Sequence, residues 1–328
     1  MILLVTQSRS AHADLVSQEL EALDADHFRL DVDRFLRDYT LDLRLPGSSS
    51  LARTDNTSST SLDQIEVVWW FDFPEQSVDS LGIAKTYIPW VKYETGKGLY
   101  WALSSLQAIY VNHPDAMDTA SVKLRQLRIA SKCGFAVPES ILSNSSAAIH
   151  DFITNVDDCA LFKTIAPISR ERASKTRVVY ATRVTRSDLD DASVDVKLNL
   201  FQRFVPKHGD IRVVVIGSRC LATYIDSQAS ERTQVDWRRY DFKRVAHQKY
   251  DLPEHIEKQC IQVVRELGLH YGAIDLVDGK DGRIYFLEVN AAGLWLWLEG
   301  LAGVPIAKTL ASYLVECSAM PSSRMRTP

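Results

Sequence analysis

Short continuous apolar runs alternate along the chain with stretches in which apolar residues recur at helical spacing. Met1–Thr6 is such a run and predicts a buried first strand, while Leu15, Val16, Leu20 and Leu23 predict a helix over His12–Leu23. Phe28–Asp31 and Ile65–Phe73 (IEVVWWFDF) predict two further strands. Residues 47–63 (GSSSLARTDNTSSTSLD) hold almost nothing to bury and are expected to form a mobile loop. Strand, helix, strand, loop and strand in this order point to a small α/β unit ending near Asn112.

From Asn112 to Pro138 the pattern is a turn, a helix and a stop. Asp118 or Thr119 suits the N-cap, Leu124, Leu127 and Ala130 lie on one helical face, and Gly134 suits the C-cap. Taken alone, Lys123 on this helix reads better as a solvated lysine than as a ligand-binding one. Ala160–Ala166 (ALFKTIA) is strand-like and carries Lys163 inside its apolar run, either as an edge-strand device or as a charge aimed at a ligand. The basic, hydroxyl-rich stretch that follows, residues 167–179, resembles a loop that folds over phosphates or an exposed charged turn. Leu200–Ile216 joins two apolar runs through Pro206 and Gly209, a natural hinge for a flat base between two lobes. His255–Leu267 is an amphipathic helix stopped by Gly268, and Pro305–Val315 is a closing helix before a frayed tail at 318–328.

Residues 271–299 hold the most informative pattern. Two apolar, β-rich runs flank a Gly-rich turn at Asp278–Gly282, which signals a hairpin. A two-residue turn at Lys280–Asp281 sets Asp275 opposite Phe286, with Glu288 and Asn290 further along the same face. Ile274, Leu276, Tyr285, Leu287 and Val289 then form the core face. Diagonal neighbours about 7–8 Å apart let two carboxylates and an amide oxygen converge on one hard cation at about 2.0–2.1 Å. A hairpin with its polar residues in solvent fits the pattern as well, and a one-residue change in the turn would put Asp275 on the opposite face.

Composition narrows the classes. The chain has 328 residues, 46% hydrophobic and 24% charged, as expected of a soluble globular protein with two or three domains. A net charge of −4 gives no general case for nucleic acid or an anionic membrane. The five cysteines are scattered without a CxxC pair, and the eight histidines lack an HExxH spacing, so disulfide staples and a zinc hydrolase are unsupported. No apolar run approaches the roughly 20 residues of a membrane span, and the N-terminus lacks the pattern of a signal peptide, so the expected location is the cytoplasm. GxGxxG and GxxxxGK[ST] are both absent, which disfavours a Rossmann dinucleotide site and a P-loop.

Taken together, NHPDAMDTASVKLRQLRIASKCGFAVP, LFKTI, FQRFVPKHGDIRVVVIG and GAIDLVDGKDGRIYFLEVN resemble the ATP-grasp ligases, over roughly residues 110–317. The stretches from Ser227 to Arg238 (SQ-x-S-x-x-T-x-x-D-W-R) and from Glu288 to Glu299 (E-V-N-x-x-G-x-W-x-W-x-E) are similar to the microviridin-type peptide maturases of that superfamily, the graspetide cyclases. The resemblance implies an α/β (α+β) ATP-grasp fold. Its parts are a pre-ATP-grasp domain at 1–113, a central lid-bearing lobe at 114–200, a C-terminal lobe with the magnesium site at 201–317, and a flexible tail at 318–328. It further implies that Lys123 and Lys163 hold ATP phosphates, and that Gln202, Arg203, Phe204 and Val205 form the hinge at the adenine, with Asp210 nearby. Asp275, Glu288 and Asn290 match the ligands of Mg²⁺, taken as two ions, and Arg212 and Arg238 match basic residues at the transferred phosphate. The stretch after Lys163 is the implied lid. The sequence departs from the microviridin type at Trp69–Pro74, which lacks the paired arginines, at Arg203, where an acidic residue is common, and at Ala291–Leu294.

The implied reaction activates an Asp or Glu side chain of a ribosomal precursor peptide (leader plus core) as an acyl phosphate and joins it to a Ser/Thr hydroxyl or a Lys amine. A ligase adding an amino acid to a peptide or metabolite is the alternative within the fold, and a non-catalytic ATP-binding scaffold the alternative outside it. Dimers are common among such enzymes, so a homodimer is a further expectation.

Overall fold

The computed structural model describes residues 1–78, 81–165 and 180–319. The implied lid at 167–179 and residues 320–328 of the expected tail lie outside the described residues. Four parallel strands form the N-terminal sheet in the order His27–Asp31, Ile2–Thr6, Val67–Trp70, Ile109–Val111. Helix Ala11–Ala22 packs on one face of it, capped by Ser10, whose hydroxyl accepts from the Ala13 N–H. Among the described residues, no helix is long and apolar enough to cross a membrane.

The expected loop at 47–63 is instead part of a three-stranded antiparallel sheet: Tyr39–Leu43, Ser49–Arg53 and Ser59–Thr60. Leu51 is fully buried and Leu62 nearly so, both in the core that also holds Leu30, Tyr39 and Trp70. Two apolar side chains at the right register suffice to fix a ribbon that is otherwise polar.

A second core belongs to a four-stranded antiparallel sheet ordered Thr182–Val184, Ala160–Lys163, Asn199–Arg203, Ser140–Ser143. Helix Ser146–Asn155 seals it through Ile149 and Ile153 against Phe201. The third sheet runs His247–Tyr250, Arg219–Ile225, Lys207–Ile216, Tyr271–Gly279, Ile284–Asn290. One of its faces packs on helices Lys123–Lys132 and Glu254–Glu266. The other carries Val214, Tyr271 and Ala273 into a core shared with Leu4 and Trp69 of the first sheet and Leu310 of helix Ile306–Ser318.

The predicted helix after Asn112 is two helices, Pro114–Ala120 and Lys123–Lys132. Asp118 and Thr119 lie inside the first, which is capped by the His113 ring accepting from the Asp115 N–H. Gly134, at φ +95, ends the second as expected. Residues 204–206, the expected hinge, are a three-residue link from Asn199–Arg203 of one sheet to Lys207–Ile216 of another.

Asn112 ties the units together. Its amide donates to the Tyr271 and Ala291 carbonyls (2.8 Å each), and its Oδ1 accepts from the His270 and Tyr271 N–H groups at 2.7 and 3.0 Å. The side chain is buried, so truncation leaves four polar groups unpaired. Asn112→Ala is expected to cost about 3 kcal/mol, read as a lower urea midpoint with unchanged far-UV circular dichroism at zero denaturant.

Candidate active site

Arg212, Asp275 and Glu288 stand side by side on three adjacent strands of the five-stranded sheet. The hairpin achieves this differently from the sequence expectation. The turn holds three residues, Lys280–Gly282, with Gly282 at φ +81 and the Gly279 N–H donating to the Arg283 carbonyl at 2.9 Å. That extra residue shifts the register by one, so Leu276 pairs with Phe286 and Val277 with Tyr285. A bulge at Leu287 then adds a second one-residue shift in the same direction, which returns Glu288 to the face of Asp275, and Asp275 faces Glu288 directly rather than Phe286. Phe286 therefore joins Ile274, Leu276 and Val289 in the core, while Leu287 lines the cleft. Asn290 pairs with Ala273, two residues along the same face from Glu288.

The lining of the cleft includes Lys123, Lys163, Asp210, Arg238, Asp275 and Glu288. Lys123 Nζ lies 2.6 Å from Glu288 Oε2, Arg238 Nη1 lies 3.8 Å from Glu288 Oε1, and Arg212 Nη1 donates to Asp275 Oδ1 at 2.9 Å. Burial pushes Glu288 upward, but Lys123, Lys163 and Arg238 outweigh it and hold the carboxyl down at about 2. Burial raises Asp275 above the usual carboxylate range, against the pull of Arg212. Lys163 is drawn down to about 8, chiefly by burial, with Glu288 opposing.

An adjoining cleft is lined by Arg212, Arg238, Asp275, Asn290, Gly293 and the aromatic side chains Trp237, Tyr240 and Trp297. Gly293 permits close approach here: a Cβ would meet Ala273 Cβ at 2.4 Å and Arg212 Nη2 at 2.7 Å. Gln202 pairs across strands with Leu161, and its neighbour Leu200 with Lys163, so all four share the cleft-side face. Its Oε1 is buried without a hydrogen-bond partner among the described residues, and its Nε2 donates to Ser140 Oγ at 3.0 Å. Arg203, one residue on, takes the opposite face and pairs with Glu139 (3.1 Å) and Asp157 (3.0 Å); it is not brought to the cleft. The Phe204 ring lies under the Arg183 guanidinium at 4.6 Å, and the Phe204 N–H donates to the Cys159 carbonyl. No hydrogen bond is made by Val205 among the described residues.

The profile of the RimK-like ATP-grasp domain matches residues 120–314, and that of the MvdD pre-ATP-grasp domain matches residues 1–118. The chain belongs to the RimK-like ATP-grasp family. It resembles the macrocyclase MdnC of Microcystis aeruginosa MRC, solved bound with precursor peptide MdnA, with a TM-score of 0.82 and 25% identity over 96% of this chain and 100% of that one. A Chryseobacterium gregarium RiPP-associated ATP-grasp ligase, solved with ADP and a leader and core peptide, matches with a TM-score of 0.88 and 24% identity over 98% of both chains. The tetrahydromethanopterin:alpha-L-glutamate ligase of Methanocaldococcus jannaschii is 23% identical over 63% of this chain and 70% of its own. The fold is thus the ATP-grasp fold with an N-terminal pre-ATP-grasp domain, and the chain is an ATP-grasp ligase.

Three supports of this ATP-grasp site were not read from the sequence. Asp236, buried, accepts from Arg238 Nε (2.9 Å), Nη2 (2.6 Å) and backbone N–H (3.1 Å), and from the Ala181 N–H at 3.0 Å. Its place two before Arg238 is the only sequence signal. Gln126 brackets the hairpin strand: Nε2 donates to the Val289 carbonyl (2.8 Å) and Oε1 accepts from the Val289 N–H (3.0 Å). Lys207 Nζ lies 2.6 Å from Asp210 Oδ2, which also accepts from Ser227 Oγ at 2.5 Å. Both pairs are contacts across the fold or a bulge, which spacing alone does not encode.

His12 fixes the backbone beyond Gly293. Its Nε2 accepts from the Trp295 and Leu296 N–H groups at 3.2 Å each, so the ring is neutral, and burial draws it down to about 4. In the unfolded chain it titrates near 6.5. Between those values the unfolded state binds the extra proton, so stability falls as pH drops through that window. His12→Gln keeps an acceptor without a titrating group. Chemical denaturation should show a steeper loss from pH 6.5 to 4 in the unmutated protein than in His12→Gln; parallel profiles would contradict the assignment.

Proposed function

We propose that this ATP-grasp ligase phosphorylates Asp or Glu side chains of a ribosomal precursor peptide and joins them to Ser/Thr hydroxyls or Lys amines of the same peptide. The observation that carries this reading is the likeness to the precursor-bound macrocyclase MdnC, which spans nearly the whole chain, N-terminal domain included. The glutamate-ligase alternative rests on likenesses covering 62–70% of the chain.

The site's chemistry suits the reaction. In this reading the lobes at 114–200 and 201–317 enclose ATP. Lys123 and Lys163 offset phosphate charge, and Gln202, with its unpaired carbonyl oxygen, is turned to take the adenine amine. Among the described residues no three His, Cys, Asp or Glu side chains cluster. Two carboxylates and an amide, completed by phosphate oxygens, are nevertheless a donor set that suits Mg²⁺. Asp275, Glu288 and Asn290 would hold it, in this reading as two ions. Bound there, Mg²⁺ supplies counter-charge to the phosphates.

The substrate carboxylate attacks the γ-phosphorus, giving an acyl phosphate and ADP. The hydroxyl or amine then attacks the acyl carbon and expels phosphate. Arg212 and Arg238, held by Asp275 and Asp236, are preorganised donors for the charge that develops. Arg238 is raised above its usual value by the Asp236 hydrogen bonds, so it stays cationic throughout.

Peptides encoded beside this gene, incubated with enzyme, ATP and Mg²⁺, should lose one water per ring by mass spectrometry. A gain of one amino-acid residue would instead establish the alternative. Glu288→Gln should lower ADP release by at least about 100-fold while far-UV circular dichroism remains that of the unmutated protein; undiminished turnover would overturn the site.

A further inference from the structure

Arg183 is a cation without an acid to answer it. Among the described residues it makes no ion pair and no side-chain hydrogen bond; its guanidinium lies instead over the Phe204 ring, 4.6 Å from the centroid. It sits on strand Thr182–Val184 at the edge of the four-stranded sheet, directly across from Leu161, which in turn pairs with Gln202. Arg183, Leu161 and Gln202 thus form one rung, and residues opposite each other in a rung share a face. That face is the cleft side. Leu161 lines the cleft, and so does Ala181, two residues before Arg183. Val184 turns the other way, into the core around Ile149 and Phe201.

Leu161 and Gln202 are buried, Phe204 is half-buried and Arg183 is exposed. The Arg183–Phe204 pair is therefore the solvent-side boundary of the space in front of Leu161 and Gln202. That space already holds much of what a purine needs. Leu161 offers an apolar surface, Leu287 lines the same cleft from the five-stranded sheet, and the Gln202 carbonyl oxygen is unpaired among the described residues. A guanidinium completes the set, because it is planar, weakly hydrated and stacks on aromatic faces. Arg183 can turn to a ligand without breaking a salt bridge, and its reach from the edge strand to Phe204 carries it across the strand that holds Leu161.

We propose that Arg183 is a nucleotide-binding residue that contacts the adenine directly and, with Phe204, walls the base pocket off from solvent. Its contact is with the base and not with the phosphates, which belong to Lys123 and Lys163. The inference rests on the placement of the adenine at Gln202 and is independent of the peptide substrate.

Calorimetric titration of the full chain with Mg²⁺-ADP tests it, with Mg²⁺-tripolyphosphate as a probe that has phosphates but no base. Arg183→Ala should weaken Mg²⁺-ADP about tenfold and leave tripolyphosphate binding unchanged. Phe204→Leu should also weaken Mg²⁺-ADP, and the double variant should fall short of the product of the two losses, because the two side chains act as one wall. Arg183→Ala should keep the thermal midpoint of the nucleotide-free protein, since the side chain is exposed and unpaired, while the upward shift given by Mg²⁺-ADP shrinks. Gln202→Met, which removes the acceptor for the adenine amine, serves as the reference. If it weakens Mg²⁺-ADP and Arg183→Ala does not, the proposal is overturned and the adenine placement stands. Unchanged binding in both variants overturns the placement as well. Equal losses of Mg²⁺-ADP and tripolyphosphate in Arg183→Ala would move the residue to the phosphates, and that too overturns the proposal.

Discussion

The site depends on the balance of charge along one row of the five-stranded sheet. Asp275 and Glu288 are carboxylates taken out of water, and either alone would carry a desolvation cost of several kcal/mol. Arg212 lies beside Asp275 in the ladder, and Lys123, Lys163 and Arg238 converge on Glu288 from three other segments. None of these groups tolerates burial without the others. The row therefore acts as a register lock: a strand slipped by one residue would place the carboxylates among Ile274, Leu276 and Phe286.

The supports around that row are mostly amides and carboxylates that bond to backbone. Gln126 braces the hairpin strand at Val289 and Asn112 holds the chain just beyond it at Ala291, and Asp236 fixes the arginine that faces Glu288. Amides suit this task because they satisfy a donor and an acceptor at once without adding charge. Asp236 is charged because its partner is, and the arginine pulls it below the usual carboxylate range although burial alone would raise it.

Much of this was legible in the sequence, and the failures have physical causes. Strands and helices with strong periodicity were foreseen, and so was the face shared by Asp275, Glu288 and Asn290. The turn was misjudged by one residue because Lys280-Asp281-Gly282 and Lys280-Asp281 read alike until the left-handed glycine is seen. The shared face survived because a bulge at Leu287, which no pattern announces, adds a second one-residue shift, so Asp275 meets Glu288 instead of Phe286 on that face. Residues 47–63 were misread because their few apolar residues bury against a partner far away in sequence. Arg203 was assigned to the nucleotide hinge from resemblance, yet strand alternation turns it toward Glu139 and Asp157. Gln126 was missed because its partners are backbone groups on other elements, and Asp236 because its bonds to Arg238 and to the Ala181 N–H form only once the loop is folded.

The core shared by the first and third sheets bears on how this architecture can diversify. Leu4, Trp69, Val214, Tyr271 and Leu310 are fully or almost fully buried together, and His12 reaches from the first helix to the backbone at Trp295. The N-terminal unit is therefore not an interchangeable module. Grafting one from a relative would set two halves of a single hydrophobic interior against each other, each cut for a different partner. New substrate preferences are reached more cheaply through the rim, where Tyr240, Phe242 and Leu294 are exposed and can change one at a time.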